Sequence, residues 1–297
     1  MKELRSCRLK KAEVFKTQDG ATLVGQLYLP RGQARAAMVL NGATGVPQEY
    51  YRHFAEHAAQ AHGLAVLTFD YRDMERSAME PVRRSQARMS DWGIADQEAA
   101  RAKMRGLFPD LPLWVMGHSL GGMTLPLQAG TEEIARVITV ASGNVHHADH
   151  PWPYRALALM FWFGAGPLAA TVLGYVPGRA LGLGSDLPAP VYWQWRRWCT
   201  SRDTFGGEAG KSLPAVDWRG TRENVRMIAF ADDDLIPPQC VQRHAANFGK
   251  SAEEVEVIDP EQFGLAGIGH IGAFARRSGT RCWGEGRRQL CGVKVRD

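Results

Sequence analysis

The chain has 297 residues and a formal net charge of +5 at pH 7, with 45% hydrophobic and 23% charged residues. This composition is ordinary for a soluble globular protein that buries a sizeable core. The excess positive charge lies in two patches, one formed by Arg83, Arg84 and Arg88 and one after Arg276. Neither patch interleaves aromatic residues or carries a nucleic-acid motif, so we expect solvated basic faces and no nucleic-acid partner.

The cysteines are few and scattered. The chain contains no CxxC pair, and its cysteines are Cys7, Cys199, Cys240, Cys282 and Cys291. This spacing argues against a disulfide framework and against a zinc site, and it favours reduced thiols in a cytoplasmic protein. The first eight residues contain basic side chains but lack the apolar run of a signal peptide, so we do not expect them to act as one.

Short apolar segments alternate with helical patterns along the chain. A hairpin is predicted around Asp19-Gly20, because alternating segments flank this turn. Further strands are predicted at residues 36–40, 64–69, 113–116, 137–140, 226–230 and 255–258, with helices near residues 48–61, 91–107, 120 onward and 238–248. This order predicts an α/β fold with a mainly parallel sheet covered by helices on both faces.

A long insertion interrupts this alternation. Residues 144–220 contain six tryptophans and many glycines and prolines, and the segment is too long for an ordinary loop. We therefore predict a helical cap over residues 144–220, inserted into a core domain of residues 1–143 and 221–297.

One part of the cap has no charged residue. Residues 156–176 are long enough to span a bilayer, but Gly164-Ala165-Gly166-Pro167 interrupts them. Two short buried or lid helices separated by a turn are the favoured interpretation. Contact of this cap segment with a membrane surface remains an alternative.

The clearest chemical motif is Gly117-His118-Ser119-Leu120-Gly121, directly after a predicted strand and before a predicted helix. A nucleophile on such a tight turn requires small residues two positions before and after it, because those positions nearly touch. The turn raises the serine hydroxyl above the sheet. Ser119 is therefore predicted as the nucleophile, against the alternative of a glycine-rich turn without catalytic value.

A serine nucleophile needs a base and an acid that orients the base. Three consecutive aspartates, Asp232, Asp233 and Asp234, follow the strand at residues 226–230, and His270 lies in a glycine-rich loop further on. This chain order, Ser then Asp then His, is the one found in hydrolases whose serine lies on a tight turn between a strand and a helix. We predict His270 as the base and Asp233 as the orienting acid, with Asp232 as the alternative acid.

The oxyanion of the reaction needs backbone N–H donors. Leu120, the residue after the nucleophile, is predicted to supply one. The second is expected from the loop after residues 36–40, where Asn41-Gly42-Ala43 lets the backbone turn inward and Ala43 is the favoured donor. A simple turn that ends the strand is the alternative interpretation.

These segments together resemble the α/β-hydrolase superfamily. The resemblance covers residues 12–275 and includes Asn41-Gly-Ala-Thr-Gly45, Thr68-Phe-Asp-Tyr-Arg72 and the Ser119 motif. The chain is most similar to a bacterial branch of predicted serine hydrolases, near monoacylglycerol-lipase-like and serine-aminopeptidase-like proteins. The resemblance implies about eight strands, a cap after the sixth, and hydrolysis of an ester, thioester or amide without a cofactor.

The chain departs from this pattern in two places. Pro126 falls in the predicted helix after the nucleophile, where a proline removes a helical hydrogen bond and is expected to kink the helix. Residues 278–297 are rich in arginine and glycine and lack the apolar periodicity of a final helix. We therefore expect a short or degenerate C-terminal element.

The sequence as a whole predicts a carboxylesterase-like or lipase-like serine hydrolase that acts on a small-molecule ester. The apolar cap favours a hydrophobic acyl group. No metal and no cofactor is expected. The alternatives are an acyltransferase with the same triad, a peptidase, and a non-catalytic binding protein that kept the fold. The sequence does not set the leaving group or the oligomeric state.

Overall fold

The computed structural model describes residues 9–221, 225–249, 255–276 and residue 283. Its main feature is an eight-stranded sheet in the order β1-β2-β4-β3-β5-β6-β9-β10, with a separate ribbon of β7 and β8. The strands are β1 (Lys10–Lys16), β2 (Thr22–Tyr28), β3 (Ala36–Asn41), β4 (Leu64–Asp70), β5 (Leu113–His118), β6 (Ile134–Val140), β7 (Tyr175–Val176), β8 (Leu187–Pro188), β9 (Val225–Phe230) and β10 (Glu256–Ile258).

Six strands of the sheet, from β4 to β10 in spatial order, are parallel, and β1 and β2 form the antiparallel hairpin predicted around Asp19-Gly20. The helices are α1 (Arg52–His62), α2 (Gln97–Leu107), α3 (Leu120–Met123), α4 (Tyr154–Met160), α5 (Gly166–Val172), α6 (Ala189–Thr200) and α7 (Pro238–Ala246). The predicted α/β-hydrolase fold is confirmed.

Helices cover both faces of the sheet because its central strands are apolar on both sides. In β3 every residue is buried. Val39 packs in one core cluster with Met104 of α2, whereas Leu40 packs in a second cluster with Phe54 of α1. Successive side chains of a strand point to opposite faces, so this alternation places α1 and α2 on opposite sides of the sheet.

The segment between β6 and β9 adds no strand to the eight-stranded sheet. It contains α4, α5 and α6, and the ribbon of β7 and β8. Residues Tyr154–Val172 form one continuous helix of 19 residues, which we name the outer helix. The prediction of two short helices separated by a turn was wrong, because a π-helical turn at Phe161–Ala165 joins α4 to α5. Such a turn accommodates Pro167, which has no N–H to donate.

The helix after Ser119 also differs from the prediction. Pro126 does not kink a longer helix, since α3 ends at Met123 and Pro126 lies in a tight turn, Leu125–Leu127. The proline therefore ends the helix rather than bending it. The expectation of a degenerate element at residues 278–297 lies outside the described residues apart from Trp283, which is buried and donates from its indole N–H to the Ala273 carbonyl at 2.6 Å.

Candidate active site

Ser119 occupies a strained turn between β5 and α3. Its backbone has φ 54° and ψ −116°, a conformation that costs free energy for a residue with a Cβ and that persists where the surroundings enforce it. The surroundings do so here, because the Ser119 N–H donates to the Val140 carbonyl at 3.0 Å and the Ser119 carbonyl accepts from Met123 N–H at 3.0 Å. The turn therefore fixes the hydroxyl at the carboxyl end of the sheet.

Two glycines make this turn possible. A Cβ placed on Gly117 would lie 2.4 Å from the Gly121 carbonyl oxygen, and one placed on Gly121 would lie 2.2 Å from the Asn41 carbonyl oxygen. Both contacts are with backbone atoms, which cannot move aside cheaply. The expected close approach of the residues two before and two after Ser119 is confirmed.

The structure brings Asp233 and His270 together. The His270 Nδ1–H donates to Asp233 Oδ2 at 2.8 Å, and the Asp233 carboxylate is buried. Asp233 Oδ1 accepts from the backbone N–H groups of Leu235 and Ile236, both at 2.9 Å. One carboxylate oxygen is therefore held by the backbone while the other fixes the orientation of the imidazole.

Asp232 has a different position. Its Oδ2 accepts from the backbone N–H of Ile268 at 2.7 Å and of Gly269 at 2.9 Å. Asp232 therefore holds the loop that carries His270, whereas Asp233 contacts the imidazole itself. The geometry favours Asp233 over Asp232 as the orienting acid.

His118 links the nucleophile to the His270 loop. Its ring is fully buried between the rings of His270 and Phe274, at 5.1 and 4.9 Å between centroids, and burial lowers the pKa of His118 to about 3. The imidazole is therefore neutral at ordinary pH and carries one N–H. Because His118 Nε2 lies 2.9 Å from the His270 carbonyl oxygen, which can only accept, that N–H is on Nε2.

This assignment sets the direction of a longer chain of hydrogen bonds. With the proton on Nε2, His118 Nδ1 accepts from the Tyr51 hydroxyl at 2.8 Å. The Tyr51 oxygen in turn accepts from the Ala43 N–H at 2.8 Å. Tyr51 is buried, and burial raises its pKa far above the ordinary range. The loop after β3, the nucleophile turn and the His270 loop are therefore joined through Tyr51 and His118.

The two expected oxyanion donors differ in their surroundings. Leu120 N–H is the first amide of α3, and the first amides of a helix have no acceptor within it. The Ala43 N–H, in contrast, is directed at the Tyr51 hydroxyl. In the part of the chain that the structure describes, no hydrogen bond of the Ser119 hydroxyl is found, and the His270 loop contacts the residue before Ser119 through the His118 ring.

The segment after β6 contacts the acid-bearing loop. His150 Nδ1 lies 3.0 Å from the Asp234 carbonyl oxygen. Tyr154, the first residue of α4, packs edge-on against His150 with 5.2 Å between ring centroids. Burial, with the nearby negative charge of Asp233, raises the pKa of Tyr154 to about 12. The beginning of the outer helix is therefore close to Asp233.

Sequence reasoning missed Tyr51 and His118. His118 stands inside the serine motif, where a polar residue between a glycine and the nucleophile could have indicated a buried partner. Tyr51 has no comparable signal, because it lies 67 residues before His118 in the sequence and no local motif connects the two.

The family comparison agrees with this geometry. The family model described as the alpha/beta hydrolase family matches residues 38–275. The chain belongs to this family. The matched segment extends from β3 to the His270 loop. Membership of the family supports hydrolase activity. Among curated proteins, none matches this chain in sequence.

Several solved structures share this fold. The family member described here is similar to a hypothetical protein of Pseudomonas aeruginosa (TM-score 0.57, 16% identity, 92% of each chain covered). A carboxyl esterase from Bacillus coagulans gives a TM-score of 0.53 at 14% identity, covering 84% of this chain and 89% of the esterase. A soluble variant of the Saccharomyces cerevisiae monoglyceride lipase gives 0.58 at 15% identity, covering 86% and 87%. At these identities the likeness shows a shared fold.

Proposed function

We propose that this chain is a serine hydrolase that cleaves a carboxylic ester through an acyl-enzyme, with Ser119 as nucleophile, His270 as base and Asp233 as orienting acid. One observation carries the proposal. The buried Asp233 carboxylate lies 2.8 Å from the His270 imidazole, and the His270 carbonyl contacts His118, the residue directly before a serine held at φ 54°. This combination is what an uncharged hydroxyl needs in order to react.

In the first half of the reaction, His270 Nε2 takes the Ser119 hydroxyl proton while Oγ bonds to the ester carbonyl carbon. Asp233 stabilises the resulting imidazolium through the Nδ1–H···Oδ2 hydrogen bond. The tetrahedral intermediate then breaks its bond to the alkoxy oxygen, which takes the proton from His270 and leaves as the alcohol. Ser119 is now acylated.

In the second half, water replaces the alcohol. His270 takes a proton from the water as its oxygen attacks the acyl carbon, and the intermediate collapses by breaking the bond to Ser119 Oγ. The proton returns to the serine, and the product is a carboxylic acid. The same base therefore serves both halves.

The developing oxyanion is stabilised by backbone amides. Leu120 N–H supplies one donor. The Ala43 N–H contributes a second when its hydrogen bond to Tyr51 is shared with, or replaced by, the oxyanion. A missing donor of this kind typically costs about 10²–10³ in kcat.

Two considerations favour an apolar acyl ester as the substrate. Residues 144–220, which we interpret as a cap, contain many apolar side chains. The same residues contact the Asp233 loop through His150. Two of the similar structures are described as a carboxyl esterase and a monoglyceride lipase.

The test is a comparison of wild type with Ser119→Ala on p-nitrophenyl esters of increasing chain length. We expect the variant to lose at least about a thousandfold in kcat, because triad members act as a unit. Ser201→Ala, which changes a half-exposed serine at the end of α6, is the matched control and should retain activity.

A fluorophosphonate probe should label wild type and Ser201→Ala but not Ser119→Ala. Ester hydrolysis that survives in a folded Ser119→Ala protein would remove Ser119 from the mechanism. A wild type that neither hydrolyses esters nor takes up the probe would favour a non-catalytic binding protein instead.

A further inference from the structure

Most of the residues that the outer helix buries are small, and five of its large apolar side chains are exposed. Every fourth residue is buried, and of Ala158, Trp162, Gly166 and Ala170 only Trp162 is large. The opposite side exposes Leu157, Met160, Phe163, Leu168 and Val172. A surface helix of a globular protein ordinarily has the reverse arrangement, with its large apolar residues against the core.

The exposed side has no charge to keep it in water. Residues 156–178 contain no charged side chain. By length and composition the helix could cross a membrane, and only 22% of its most apolar part is buried inside the protein. Folded proteins rarely leave a continuous apolar surface of this kind uncovered unless it binds something.

The inner side of the helix is fixed to α6. The Tyr192 hydroxyl donates to the Phe161 carbonyl at 3.0 Å, and Arg196 Nε donates to the Trp162 carbonyl at 2.6 Å. The approach is so close that a Cβ on Gly166 would lie 2.3 Å from the Tyr192 oxygen. To cross a bilayer the helix would have to leave these contacts. While it keeps them, it lies along the protein surface.

A basic edge borders the C-terminal end of the helix. Gly174 packs against Arg83, and a Cβ on Gly174 would lie 3.5 Å from the Arg83 Cβ. Arg83, Arg84 and Arg88 are exposed, and none of them forms an ion pair with any residue that the structure describes. Of the acidic residues nearby, Glu80 is exposed, whereas Asp73 accepts from the Ser85 hydroxyl, Glu75 pairs with Arg179, and Asp91 accepts from the Arg88 backbone N–H. The edge is therefore strongly positive beside an uncharged apolar face.

We propose that the outer helix docks on an anionic lipid bilayer surface and lies in its plane, with Arg83, Arg84 and Arg88 at the phosphate headgroups. Apolar side chains on one face and arginines at its edge are the features that hold a helix at the boundary of headgroups and acyl chains. Trp152, which precedes the helix, is 66% exposed, and tryptophan is favoured at this depth of a bilayer.

A second copy of the chain fits this surface less well. In a two-fold dimer the same patch would meet itself. The three arginines would then face an apolar surface or other arginines, and of the acidic residues between positions 73 and 91 only Glu80 is exposed. Anionic headgroups neutralise all three. The charge of the edge therefore favours a bilayer as the occupant.

The experiment is sedimentation of the full chain with vesicles of phosphatidylcholine alone and of phosphatidylcholine mixed equally with phosphatidylglycerol. We expect binding to the mixed vesicles, weakened by salt. Leu168→Asp/Val172→Asp should weaken binding at least about tenfold, because it places two charges in the apolar face. Arg83→Gln/Arg84→Gln/Arg88→Gln should weaken binding to the mixed vesicles by about a hundredfold.

Val14→Asp is the matched control. Val14 is 62% exposed on β1, compared with 66% for Leu168 and 69% for Val172, so the same chemical change is made outside the patch. It should bind like wild type, and thermal unfolding should show that all variants are folded. None of these readouts depends on ester hydrolysis.

Four results would overturn the proposal. The first is absence of binding to the mixed vesicles, and the second is equal binding by wild type and Leu168→Asp/Val172→Asp. The third is a wild-type dimer in analytical ultracentrifugation that the double substitution dissociates, which would assign the face to a second copy. Bound protein that resists an alkaline carbonate wash would also contradict docking in the plane of the bilayer, because it would indicate insertion.

Discussion

The loops at the carboxyl end of the sheet and the outer helix bury their side chains in opposite ways. In the loops, buried polar groups are held by other groups of the chain, as Asp233 is by two backbone amides and His270. In the outer helix, three of the four buried residues are small, whereas five large apolar side chains are exposed. The first region is complete within the chain. The second makes physical sense only with a partner, which is why we assign chemistry to one and docking to the other.

The largest expected effect tests the first region. Asp233→Asn should lower kcat by about 10⁴, because the amide cannot hold the imidazole in the tautomer that accepts the serine proton. Asp232→Asn is the matched control. Its remaining side-chain oxygen can still accept from Ile268 and Gly269, so we expect kcat within about tenfold of wild type.

The measurement is steady-state hydrolysis of an activated ester by folded proteins. If Asp232→Asn collapses kcat while Asp233→Asn is nearly silent, the orienting acid lies one residue earlier than the structure indicates. Comparable losses in both variants would mean that holding the His270 loop matters as much as orienting the ring.

A smaller effect tests the packing of the outer helix. Gly166→Ala should destabilise the fold by about 2 kcal/mol, a typical value for overpacking, because the added Cβ would lie 2.3 Å from the Tyr192 oxygen and 2.4 Å from the Phe161 carbonyl oxygen. Gly164→Ala adds the same methyl group to the same helix, where the nearest atom is 4.0 Å away. It should stabilise the helix by up to about 1 kcal/mol.

Chemical denaturation of both variants measures the difference. If the two substitutions have the same effect on the free energy of unfolding, the helix is not held closely to α6. The argument that it remains on the protein surface would then lose its basis.

The sequence predicted those features that are encoded locally. The apolar segments of β3 to β9 and the glycines at 117 and 121 stand in the positions that a strand and a tight turn require, so the sheet and the elbow could be inferred without knowledge of distant residues. The choice between Asp232 and Asp233 was open, because both follow the same strand and only the directions of their side chains separate them.

Features that depend on distant partners could not be predicted. The outer helix continues through Gly164 and Pro167 because of a π-helical turn and contacts with α6. Neither feature can be inferred from the amino-acid composition of the segment. Similarly, Ala43 was expected to point its N–H at the oxyanion, but Tyr51, eight residues later, accepts from it. Nothing in the residues around Ala43 indicated that a buried hydroxyl would accept from its N–H.

The smallest expected effect on kcat concerns this Tyr51 hydroxyl. Tyr51→Phe removes the acceptor of the Ala43 N–H and the donor to His118 Nδ1, and it leaves both groups buried without a partner. Because the pKa of His118 is lowered to about 3 by burial, the ring cannot compensate by taking a proton at neutral pH. We expect stability to fall by about 1–3 kcal/mol. We expect kcat to fall about tenfold with KM little changed, because His118 supports the His270 loop rather than the substrate.

Tyr50→Phe is the matched control. It removes an exposed hydrogen bond from the neighbouring hydroxyl to the Ile271 carbonyl at 2.9 Å. We expect kcat to change by less than about threefold, because an exposed hydrogen bond contributes little. Steady-state kinetics with a thermal unfolding curve for each variant separates the two contributions. A rise in kcat for Tyr51→Phe would contradict the positioning role. It would show instead that the hydroxyl competes with the oxyanion for the Ala43 N–H, so that freeing this amide improves the stabilisation of the transition state.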